Sequence, residues 1–179
     1  NGGVVSCPSP RFCLAGDWRD GQGSVYQGGA WSDPFQLDPS GGEVASVSCA
    51  SPTFCEVGRY DGSVLTFDGS GVSKTREIDP TNALSAMSCP TVTFCVAVDA
   101  VGKALVYQGH RWGAATVIDD QHYLASVSCT SSDFCAALDA TGAVLTYDGG
   151  EWSAPMPLGL QGVPNEGPFG ATDLSCAGA

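Results

Sequence analysis

At 179 residues and 43% hydrophobic content, the chain is long enough for one domain with a sizeable core and too apolar for a disordered tail. Seven basic residues against 19 acidic ones give a formal charge of −12. No window gathers the Lys/Arg cluster that a phosphate backbone needs, which argues against nucleic acid and against an anionic membrane surface, and no apolar run approaches the roughly 18 to 20 residues that span a bilayer.

Nine cysteines are present, and eight of them fall in identical C-x5-C frames with no metal-type CxxC pair. That pattern points to disulfides, an oxidising compartment and secretion. Asn1 in place of Met is expected to reflect a removed signal peptide or a trimmed chain. The first cysteines stand at 7, 49, 89 and 129, with a ninth at Cys176, so the chain is a repeat of period near 40. The boundaries expected are one domain over 1–179, with repeats near 4–44, 45–84, 85–124 and 125–171 and a partial fifth over 172–179.

In chain order, the first unit opens on "VVSC" and reaches "FC" at Phe12 and Cys13, an inserted turn "DWRDG", and "YQGGAW". The second runs from "VSCASPTFC" through "RYDG" to "FDGSGV". The third reads most cleanly, as four short strands: "LSAMSC", "FCVAVD", "KALVYQG" and "AATVID". The fourth repeats it with "LASVSC", "DATG" and "YDGGEW", then enters the connector "GLQGVPNEGPFGATD" and stops after "LSCAGA". Asp initiates the D-x-x-G turns of "DAVG" and "DATG" and Gly supplies their positive φ. Strand three is apolar on both faces, Ala104 and Val106 against Leu105 and Tyr107. A sandwich strand with one wet face does not read this way. Blades packed face to face around an axis do, so the expected fold is an all-β β-propeller of four-stranded blades, four blades plus one extra strand.

Each cysteine frame flanks a five-residue loop between antiparallel strands. Cross-strand bridges are expected for Cys7 with Cys13, Cys49 with Cys55, Cys89 with Cys95 and Cys129 with Cys135, each contributing roughly 2 to 3 kcal/mol before strain. A metal role for them is not expected, because nothing pairs them with histidines and one thiolate pair per blade cannot make a four-ligand site. No glycine loop opens a helix, so no phosphate cofactor is expected either.

The string "SCPTVTFCVAVDAVGKALVYQGHRW" and its siblings resemble the repeat of secreted bacterial proteins, notably actinobacterial ones, that are read as disulfide-stapled propellers. The resemblance implies a fold and a lectin-like or interaction role, often beside hydrolase or toxin domains, and carries over no functional residue by position. Val72 departs from the pattern where Trp31, Trp112 and Trp152 stand, as does Arg59 where Asp99 and Asp139 stand.

Catalytic chemistry is thinly represented. His110 and His122 are the two histidines; His110 reads as a turn residue and His122 lies in the connector "DDQHY". Asp38, Asp79 and Asp119 end the fourth strands and read as turn formers, with a calcium pair of Asp119 and Asp120 as the lesser alternative. The better functional material is aromatic: Trp31, Trp112 and Trp152 offer sugar-stacking faces, weighed against plain packing, which is also the reading for Tyr26, Phe67, Tyr107 and Tyr147. Residues that break the repeat on the face of the strand two-to-three turns and blade connectors complete the candidate ligand site: Trp18, Arg19, Arg59, Tyr60, Asp120, His122 and Tyr123, with Asn165, Glu166 and Phe169 on the last connector. The function expected is a secreted, non-enzymatic module binding carbohydrate; the alternatives are a protein-docking segment of a larger protein, joined through the strand at Cys176, and a glycoside hydrolase using a carboxylate pair.

Overall fold

The computed structural model describes residues 2–159 and 173–177, and every regular element within them is a strand. Four antiparallel sheets follow one another, each a meander whose strands pair in chain order. Blade 1 uses Gly3–Ser9, Phe12–Asp17 and Gln22–Gln27, with a fourth strand in two pieces, Ala30–Trp31 and Phe35–Gln36. Blade 2 uses Val44–Ser51, Phe54–Arg59, Ser63–Phe67 and Arg76–Glu77. Blade 3 uses Leu84–Thr91, Phe94–Asp99 and Lys103–Gln108, then Arg111–Trp112 and Thr116–Val117. Blade 4 uses Leu124–Ser131, Phe134–Asp139, Ala143–Tyr147 and Met156–Pro157.

Two elements differ from the sequence reading: residues 173–177, expected as an extra strand, form no strand, and the fourth strand, read as the continuous run "AATVID", is interrupted. It is broken because it is an edge, with a partner on one side only, and a bulge there costs few ladder bonds. In three blades a serine hydroxyl covers the gap: Ser32 Oγ accepts from Val25 N–H at 3.1 Å, Ser73 Oγ from Thr66 N–H at 2.9 Å and Ser153 Oγ from Thr146 N–H at 3.0 Å.

Each C-x5-C frame closes as a bridge between strands one and two of its own blade, Cys7–Cys13, Cys49–Cys55, Cys89–Cys95 and Cys129–Cys135, with Cα atoms 3.9 to 4.1 Å apart. The apolar interior is divided among three seams between consecutive blades. Leu14, Val47, Val57 and Leu65 fill the first, Leu84, Met87, Ala97 and Leu105 the second, and Val96, Leu124, Val127 and Leu145 the third. Because both faces of the inner strands enter a seam, the double-sided apolar pattern of strand three is required by the architecture.

A side-chain to backbone bond repeats at every seam. Ser6 Oγ accepts from Cys49 N–H at 2.9 Å, Ser48 Oγ from Cys89 N–H at 2.8 Å and Ser88 Oγ from Cys129 N–H at 2.9 Å. Ser128 Oγ accepts from Cys176 N–H at 3.0 Å in the same way, so the terminal "LSC" lies against blade 4 as strand one of a following blade would. It does not displace the N-terminal strand, which stays paired with Phe12–Asp17 from Gly3 to Ser9. Among the described residues, the outer faces of blades 1 and 4 are only partly covered. Val5, whose counterparts Val47, Met87 and Val127 are buried, is exposed on blade 1, and Phe134 is 41% exposed on blade 4 where its counterpart Phe94 is 2%.

Candidate functional site

Two kinds of segment meet at one end of every seam: the turn between strands two and three, and the connector that leads to the next blade. In blade 3 the backbone N–H groups of Ile118 and Asp119 both donate to Gly102 O at 2.9 Å. Gly102 has φ +82°, and a Cβ there would overlap the Asp119 carbonyl. Gly102 is thus needed twice, for the left-handed turn and for this close approach.

The aspartates behave as turn formers through one oxygen. Asp99 Oδ1 accepts from Val101 N–H at 3.0 Å and Lys103 N–H at 2.7 Å, and Asp139 Oδ1 from Thr141 N–H and Ala143 N–H at 2.8 Å each. Asp119 Oδ1 likewise accepts from Gln121 N–H at 3.0 Å. Turn chemistry does not account for their depth. Asp38, Asp79, Asp99, Asp119 and Asp139 are all buried, and a buried carboxylate is costly without a compensating partner.

Each seam meets that cost differently. In the first, Arg59 replaces the strand-two aspartate; its Nε lies 2.8 Å from Asp38 Oδ2, its Nη1 2.9 Å from Asp61 Oδ2, and it donates to Ser40 Oγ and Ser63 Oγ at 2.9 Å each. In the second, Asp79 and Asp99 face each other, with Lys103 Nζ 4.0 Å from Asp79 Oδ2. Burial pushes Asp99 up, backbone donors from Lys103 and Val101 only partly oppose it, and Asp79 beside it adds to the rise. Burial also pushes on Asp79, but hydrogen bonds from Asp99, Asn82 and Thr81 outweigh it and hold that carboxyl below the ordinary carboxylate range. Within this pair, then, Asp99 is the carboxyl held above its ordinary value and Asp79 the one held below it. In the third seam Asp119 and Asp139 are joined by His122, whose Nδ1 lies 3.3 Å from Asp119 Oδ2 and 3.7 Å from Asp139 Oδ2.

The third seam also opens into a groove. One cleft of about 500 Å³ is lined by Asp119, Asp120, Gln121, His122, Asp139 and Thr141. A second, about 650 Å³, is lined by Gln108, Thr116, Tyr147, Glu151, Trp152 and Ser153. Val117, Ile118 and Pro155 belong to the walls of both, so the two run into one another. A smaller cleft of about 380 Å³ lies in the corresponding place at the first seam, beside Gln27, Trp31, Ser32 and Ser70.

The structure gathers the sequence candidates only in part. Asp120, His122 and Trp152 all line the third-seam groove. Arg59 is not available to a ligand: at 8% exposure it is the internal counter-ion of Asp38. Trp112 and Trp152 are partly buried against the seam cores and pack on Tyr107 and Tyr147, with ring centroids 5.5 and 5.4 Å apart. Trp31 makes the same contact with Tyr26 at 5.6 Å but is exposed, since no described blade precedes it. The tyrosines are packing residues, Tyr107 against Phe54 and Tyr147 against Phe94 across the seams. Trp18, with the Arg19 guanidinium 5.8 Å from its ring centroid, Tyr60 and Tyr123 are exposed on the turn face. Partial burial, and after it the Tyr60 phenol, raise the Tyr123 hydroxyl above its ordinary value. His110 sits at φ 65° in its exposed turn, the place of a turn residue. Asn165, Glu166 and Phe169 lie outside the described residues. The seam aspartates were read as turn formers, and their burial was missed. Their one sequence signal was an aspartate recurring at the ends of otherwise apolar strands.

Four-stranded meanders packed face to face in series, each stapled by its own disulfide, define an arc of a β-propeller. No protein-family model and no curated protein sequence matches the chain. Solved structures match it as folds. A streptogramin B lyase structure superposes with TM-score 0.74 at 8% identity, over 89% of this chain and 55% of that one. The WD40 β-propeller domain of Doa1 gives 0.68 at 10% identity, covering 84% and 52%. YCF48 bound to a D1 peptide gives 0.63 at 18% identity, covering 86% and 51%. The chain thus spans about half the length of each of these structures.

Proposed function

We propose that the chain is a secreted, non-enzymatic binding module that takes a glycan into the groove of the third seam. The observation that carries this reading is the union, in one open groove, of an indole at one end with amide and acidic side chains at the other: Trp152, Gln108 and Glu151 beside Asp120 and Gln121. An aromatic face with a few hydrogen-bonding groups suits a pyranose, which is apolar on one face and hydroxylated at its rim. The cleft at Trp31, with Gln27 in the place of Gln108, offers a second and smaller seat, so a repetitive glycan would gain from two weak sites on one rigid arc. Four disulfides support an oxidising location.

A protein surface is the second reading, favoured by the exposure of Trp18, Tyr60 and Tyr123 on the turn face. A glycan array probed with the labelled chain and with a Gln108→Ala/Glu151→Ala variant separates the two. The variant changes exposed side chains and is expected to lose at least about tenfold in signal on the glycans bound by the parent. No glycan above background at high protein density, or equal binding by the variant, contradicts the groove reading.

A further inference from the structure

We infer that Asp119, His122 and Asp139 form a binding site for a divalent cation of the late first-row type, Zn²⁺ being the simplest. Nδ1 of His122 and one oxygen from each carboxylate lie within 4.8 Å of one another. The two measured separations from His122 Nδ1, 3.3 and 3.7 Å, are near the roughly 3.3 to 3.4 Å expected between neighbouring ligands of a tetrahedral ion with bonds of about 2.0 to 2.1 Å.

Asp139 points to a missing partner. Its side chain is 1% exposed, and its Oδ2 accepts no hydrogen bond although it faces the cluster. A buried carboxylate oxygen without a donor needs a positive charge or a proton.

The sister seams show what that charge looks like when the chain supplies it. In the first seam, Arg59 occupies the place of Asp139 and ion-pairs with Asp38. In the second, Lys103 Nζ lies 4.0 Å from Asp79 Oδ2, while Asp99 Oδ2 is left without a donor as Asp139 Oδ2 is. The residue that corresponds to Lys103 in blade 4 is Ala143, so the third seam retains both carboxylates and has lost the amine. His122 stands where Asn82 stands, and Asn82 Nδ2 caps both oxygens of Asp79 at 3.0 and 3.1 Å. An imidazole acting only as that cap bonds Asp119 and comes within 3.7 Å of Asp139 Oδ2 without giving it a hydrogen bond. An imidazole acting as a metal ligand brings a cation that answers both. One nitrogen with two carboxylate oxygens suits zinc and its neighbours better than calcium or magnesium, which prefer oxygen alone. The second carboxylate of the cluster comes from Asp139 of the next blade, while Asp120 beside Asp119 is exposed. His122 is partly exposed in its cleft, which leaves a fourth coordination position open to water or to a ligand oxygen.

Calorimetric titration of ZnCl₂ into the full 179-residue chain carrying Cys176→Ser, which removes the one free thiol, tests the site. One equivalent is expected to bind, with affinity reduced at least about tenfold by His122→Asn, the cap already used at Asn82. Ala143→Lys restores the amine of the second seam; it is expected to abolish zinc binding while the melting temperature measured without metal holds or rises. His110→Asn, in the exposed turn, is expected to bind as the parent does. Absence of saturable binding, unchanged affinity in His122→Asn, or loss of binding in His110→Asn instead would overturn the site.

Discussion

Glu56 occupies an inward position of strand two that is Leu14, Val96 and Ala136 in the other blades. It is fully buried; Oε1 accepts from Thr66 Oγ1 at 2.7 Å and Oε2 has no donor. Burial raises its carboxyl above the ordinary value, and the Thr66 hydroxyl, Arg76 and Trp112 only partly oppose the rise. A carboxyl raised in the folded state binds more protons there than in the unfolded chain, so it costs no stability below the unfolded value and an increasing amount as pH rises through the folded one. Glu56→Gln removes the titration and keeps an acceptor for Thr66. In urea unfolding followed from pH 4 to pH 7, the variant is expected to gain on the parent as pH rises, by about 1 to 3 kcal/mol at neutral pH. A difference that stays constant over that range would show that Glu56 is ionised at no cost.

At the scale of the element, a blade is stable because of its neighbours. Phe94 and Phe134 hold the same position in consecutive blades, yet one is sealed in the third seam and the other faces outward from blade 4. Phe94→Ala is accordingly expected to cost about 3 to 5 kcal/mol, and Phe134→Ala less than about 1 kcal/mol, by chemical denaturation of each variant. Comparable losses at both positions would mean that the outer face of blade 4 is covered. The blades themselves were legible from the cysteine frame, a local constraint repeated four times, and from the D-x-x-G turn and two-sided strand three of blades 3 and 4. The break in strand four was not, because a serine that replaces a ladder carbonyl looks like any other turn serine. Arg59 was misplaced for a related reason: a lone arginine in a turn motif reads as surface decoration until Asp38 of the preceding blade is brought to it.

At the scale of the molecule, the seams are where sequence differences accumulate and where both proposed sites lie. Three seams share one frame of serine-to-cysteine bonds and apolar packing, and they differ in how the buried aspartates are neutralised and in how open the outer cleft is. The groove was only half visible beforehand: Asp120, His122 and Trp152 stood out as aromatic or polar residues, but their convergence depends on blade 4 packing against blade 3, which no single repeat encodes. Mapping amide chemical shifts in ¹⁵N–¹H spectra while titrating the glycan with the strongest array signal is the most direct test of a ligand in that groove. The account predicts shifts concentrated at Gln108, Gln121, Glu151 and Ser153, with weaker ones at Gln27 and Ser70. Shifts confined to Trp18, Tyr60 and Tyr123, or none at saturating glycan, would contradict it.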